Sequence, residues 1–143
     1  MRSNRLSPPV LAALAAGLVT SFGLMLPHTL CAQQAPTSVA TPVRIALQHA
    51  TLAADATELP QVRQHLQHVL NCLEGKGGSE YSASAGDPCK GSGALDATAP
   101  GSANRLRVTK AIRLLTVGVT FQDFKPAHYV AQAVQAVLAE IGG

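Results

Sequence analysis

Between Leu59 and Leu73, apolar residues recur at Leu59, Val62, Leu66, Val69, Leu70 and Leu73. That spacing draws one stripe along an α-helix, because 3.6 residues complete each turn. A stripe of this length must be covered by other helices to leave water, which directs the chain towards an all-α bundle. Gly75, with Gly77 and Gly78 beyond it, marks the end of this helix, glycine being the commonest residue just past a helix terminus.

Other segments carry the same period. Val43, Ala46, Leu47, Ala50 and Ala54 share a face of a helix opening near Pro42, a residue suited to a first turn. Asp55-Ala56-Thr57 interrupts it, and Thr57 is the expected N-cap of the second helix. A third helix is predicted from Ser102–Asn104 onward, with Val108, Ala111, Ile112, Leu115 and Val119 on one face. Its tail, TVGVTF, also alternates like a strand. After a turn at Phe121–Phe124, a fourth helix is expected from Pro126 to Ile141, with Val130, Val134, Val137, Leu138 and Ile141 inward. The fold expected is a small antiparallel bundle of about four helices in two hairpins.

Between the hairpins, residues 74–104 contain seven glycines and two prolines and are expected to form a long loop without regular structure. Cys89 lies within it. Pairing with Cys72 at the end of the second helix would tether the loop, closing a ring worth about 3 kcal/mol in the chain-entropy account.

The N-terminus supports an oxidised pair. Arg2 and Arg5 precede an uncharged, mostly apolar run over residues 10–26, and Leu30-Cys31-Ala32 follows. This is the order of a secretory signal peptide, here residues 1–32. A retained N-terminal anchor is the rival, because the apolar run reaches the lower limit for a span. Pro8, Pro9, Pro27 and the Gln-Gln-Ala-Pro run that follows favour cleavage. A lipid anchor on Cys31 is disfavoured because His28-Thr29-Leu30 offers no small residue beside the cysteine.

With cleavage, residues 33–41 become a flexible leader and residues 42–143 one small domain. The expected location is the bacterial periplasm, with no stable membrane span. Arg2 and Arg5 leave with the signal, so eleven basic side chains become nine against eight acidic ones and the net charge falls from +3 to +1. Without a basic patch, and with few aromatics, nucleic acid is not an expected partner. Cys72 and Cys89 are the two cysteines left, and an even count in an exported chain reads as a disulfide.

Chemistry is concentrated in His65-Leu-Gln-His-Val-Leu-Asn-Cys72. Gln61, His65, His68 and Cys72 project as a second stripe beside the apolar one, so they flank the seam of the bundle. Neighbours three and four residues apart touch on a helix, and His68 therefore reaches both His65 and Cys72. His49 takes a similar flank on the first helix and approaches His65 if the two form a hairpin. His128 is expected to be exposed.

Imidazoles in this pattern suit a transition-metal ion, copper, zinc or nickel, held by His65 and His68 with His49 as the third ligand. Against a metal, helical zinc pairs more often use i, i+4, and no carboxylate shares the face. The alternative is a polar flank bonded to backbone or glutamine. Haem is a further alternative: the covalent Cys-x-x-Cys-His motif is absent, which leaves a non-covalent haem between His49 or His128 and His65 or His68.

No pattern of catalytic residues is present, and the chain reads as a binding protein rather than an enzyme. A second functional reading is a disulfide-stapled interaction protein of the cell envelope. It would dock on another envelope protein through the glycine-rich loop or an exposed helix face bearing Leu114 and Val117.

Overall fold

A computed structural model of the chain describes residues 40–141. The expected signal segment and most of the leader lie outside the described residues. Four helices of 16 residues form the body: α1 (Ala40–Asp55), α2 (Leu59–Glu74), α4 (Ala103–Gly118) and α5 (Phe124–Ala139). A one-turn helix, α3 (Ala94–Ala97), lies between α2 and α4. Among the described residues every regular element is helical, and none is long and apolar enough to cross a membrane.

Short links make two hairpins, α1 with α2 and α4 with α5, and they close on one another as α1 packs on α5 and α2 on α4. The α2 stripe is the centre of the core: Val62, Leu66, Val69 and Leu73 are wholly buried. Facing it are Ala46, Ala50 and Ala53 of α1, Val108, Ala111 and Leu115 of α4, and Ala127, Ala131, Val134 and Leu138 of α5. So many alanines let the helices approach closely, replacing side-chain volume with backbone proximity.

The TVGVTF ambiguity resolves as helix up to Gly118. At Gly118 a Cβ would stand 2.6 Å from Val130 Cγ1 of α5 and 3.3 Å from Leu66 Cδ1 of α2. This glycine serves close helix–helix contact, which the alternating pattern alone would assign to a strand. The expected cap of α2 is corrected: Glu58, not Thr57, occupies the N-cap position and makes no side-chain capping bond. The start shifts because Pro60, which lacks an N–H, fits the first turn, and the Glu58 carbonyl accepts from Val62 N–H at 3.1 Å.

The glycine-rich segment is more regular than its composition suggests. It carries a 3-10 turn at Ala83–Ala85 as well as α3. Arg105 secures the end of α3 by donating to the carbonyls of Leu95 and Thr98. The disulfide between Cys72 and Cys89 is present, with Cα atoms 5.2 Å apart. Cys72 was expected on the flank, yet it is fully buried, because the tethered segment covers that side of α2.

A three-histidine cluster and the loop that covers it

His49 comes from the middle of α1, and His65 and His68 from the facing turns of α2. The α1–α2 hairpin sets them against each other with ring centroids 5.5 Å (His49–His65), 4.7 Å (His49–His68) and 5.8 Å (His65–His68) apart. Each is half-buried. Ligand atoms of all three lie within 4.8 Å of one another, and among the described residues this is the group of three with that property.

Two details define the chemistry. The Nδ1 atoms of His49 and His65 are 3.2 Å apart, so without an ion one must donate and the other accept. Two imidazole nitrogens on a tetrahedral ion with bonds of about 2.0–2.1 Å would stand roughly 3.3–3.4 Å apart, close to the separation already present. His68 is held differently. Its Nε2 lies 2.6 Å from the Ala85 carbonyl, and a carbonyl only accepts, so Nε2 carries the proton. In the neutral ring Nδ1 is then the nitrogen with the lone pair, and that atom is buried without a hydrogen-bond partner.

Charge is tuned in the same sense. Burial, then the neighbouring His68 and His65, lowers the His49 pKa below 6.5. Burial, then His68, does the same for His65. Desolvation and like charge both disfavour imidazolium, so these two rings are neutral at neutral pH, the form that binds metals.

His128 stands apart from the cluster. Its ring stacks on Phe124 with centroids 5.2 Å apart, and its Nε2 accepts from Gln132 at 3.0 Å. It is half-buried rather than exposed, with Nδ1 enclosed. With His49 and His65 within hydrogen-bonding distance, no porphyrin fits between that pair. Cys72 is locked in the disulfide and contributes no thiolate.

One residue escaped the sequence reading. Asn71 is fully buried and makes four bonds. Its Nδ2 donates to the carbonyls of Ser82 at 2.8 Å and Gly86 at 2.7 Å, and its Oδ1 accepts from Ser82 N–H at 2.9 Å and Gln67 Nε2 at 3.1 Å. Gln67 also donates to the Glu80 carbonyl. Asn71 and Gln67 thus bind residues 80–86 to α2, directly over His68. An asparagine inside a polar helix face gives no signal of this in sequence, because its partners lie in a segment without periodicity.

Fold and site together define a disulfide-stapled all-α bundle with a cluster of three imidazoles at its first hairpin. Compared with known proteins, the chain matches no protein-family model, no curated protein and no solved structure.

Proposed function

We propose that this protein is a small exported binding protein that captures a transition-metal ion, copper, zinc or nickel, through His49, His65 and His68. One observation carries the reading: three imidazoles from two helices hold their ligand atoms within 4.8 Å of one another. All-imidazole donors suit borderline ions of this class and disfavour calcium and magnesium, which take oxygen. The signal-like N-terminus and the disulfide agree with an oxidising compartment, the periplasm in a bacterium. The protein's role is to bind and carry the ion rather than to transform a substrate.

Calorimetry of the mature protein with Cu(II), Zn(II) and Ni(II) tests this. A saturable heat at one ion per chain is expected, abolished in the His65→Ala, His68→Ala double variant. Heat that survives the double variant, or none in the parent, would end the proposal. Export is tested separately by the intact mass of the protein from the periplasmic fraction, expected to lack the segment through about residue 32.

A further inference from the structure

The segment covering His68 raises the question of what the glycine-rich loop does beyond closing a ring. Several independent features meet at this imidazole. The Ala85 carbonyl accepts from Nε2 at 2.6 Å. Nδ1 is buried and has no partner. Asn71, three residues along α2, fixes the loop on both sides of Ala85 by binding Ser82 and Gly86. The backbone also lies close: a Cβ on Gly86 would stand 3.1 Å from His68 Nε2. Cys72–Cys89 anchors the loop just beyond these contacts.

We infer that residues 80–89 form the outer support of the metal site, with Asn71 as the positioning residue that holds the Ala85 carbonyl against His68, so that His68 ligates through Nδ1. The inference rests on the metal reading above. The physical reason is tautomer control. A free imidazole distributes its proton between two nitrogens, and either can ligate. A carbonyl held against Nε2 removes that choice, leaves the lone pair on Nδ1, and raises its basicity. The unpartnered Nδ1 is then the atom left for the ion. Asn71 touches neither the ion nor a ligand nitrogen; it acts through the loop.

Nitrogen-15 labelling of the histidines tests this in the full mature chain. In metal-free protein above the imidazole titration range, long-range proton–nitrogen correlation should show His68 as the Nε2–H tautomer. Adding Zn(II) should then shift its Nδ1. A mixed or Nδ1–H tautomer, or a zinc shift at Nε2, would overturn the inference while leaving the metal reading intact. No shift at any histidine nitrogen would overturn both.

The Asn71→Asp variant keeps the shape and the bond from Ser82 N–H but loses donation to the Ser82 and Gly86 carbonyls. Zinc affinity should fall about tenfold to a hundredfold, the usual cost of losing an outer support, with the His68 tautomer becoming mixed. Should Asn71→Asp fail to fold, Asn71→Ala removes the same two donations without burying a charge and should move the tautomer and affinity the same way. Unchanged tautomer and affinity in a folded variant of either kind would refute the role given to the loop.

Discussion

His49 of α1 and His65 of α2 meet across the hairpin with their Nδ1 atoms 3.2 Å apart, in a chain where they are separated by 16 positions. Each helix thus contributes an imidazole from a packed element, and the spacing is set by helix packing rather than by a loop. Geometry held in this way would let the proposed site take an ion without rearrangement.

The first prediction concerns that pair. His49→Ala leaves a two-imidazole site on α2 and should weaken Zn(II) or Cu(II) binding by at least about tenfold, whereas His128→Ala should leave it unchanged. Binding to the folded state alone raises stability by about 2.7 kcal/mol at a ligand concentration one hundred times Kd. Thermal melts with and without metal therefore check the result: the rise in Tm should shrink in His49→Ala and persist in His128→Ala.

Much of this arrangement is legible in the residues. The α2 stripe defines the core, Cys72 and Cys89 define the staple, and matching flanks bring His49 towards His65. What the sequence hides is whatever the glycine-rich segment creates. Asn71 and Cys72 lie off the apolar stripe, where helical period alone leaves them on the flank or in water. Both are buried because residues 80–89 fold back over them. Helical period reports on helix–helix contacts, and a loop laid across a helix leaves no trace in it.

Acid should destabilise the metal-free protein. His49 and His65 have pKa values lowered from 6.5 in the folded chain, while the unfolded chain keeps the ordinary value. The unfolded state then binds more protons in the window below about pH 6.5. Their contribution to stability is whole above that pH and is lost as pH falls through the lowered values. Urea midpoints measured from pH 7.5 to 5 should decline, and a His49→Gln, His65→Gln variant should decline less. With metal present the decline should steepen, because protons compete with the ion for the same lone pairs.

The disulfide should contribute globally. Cys72 and Cys89 are 17 positions apart and both buried. Replacing both by alanine should cost about 3 kcal/mol by the chain-entropy account. Urea unfolding of the variant beside the parent measures this. Limited proteolysis should also locate the first cuts of the variant between Gly75 and Gly93, since removing the tether leaves that segment held to α2 by hydrogen bonds from Gln67, His68, Asn71 and Glu74.

At Gly118, helix propensity and packing act in opposite directions. Alanine is favoured over glycine inside a helix by about 1 kcal/mol, so Gly118→Ala looks stabilising if α4 is taken alone. In the bundle, the new methyl would stand 2.6 Å from Val130 Cγ1, a separation that forces a shift. Val130 is β-branched and stiff about χ1, and Leu66 Cδ1 at 3.3 Å crowds the same space from α2. Overpacking of this kind costs about 1–3 kcal/mol, which outweighs the helical gain. The variant should therefore melt lower than the parent, by about 1 kcal/mol of stability in calorimetric or urea unfolding. Adding Val130→Ala should relieve the clash, so the double variant should show less overpacking loss than the sum of the two single changes.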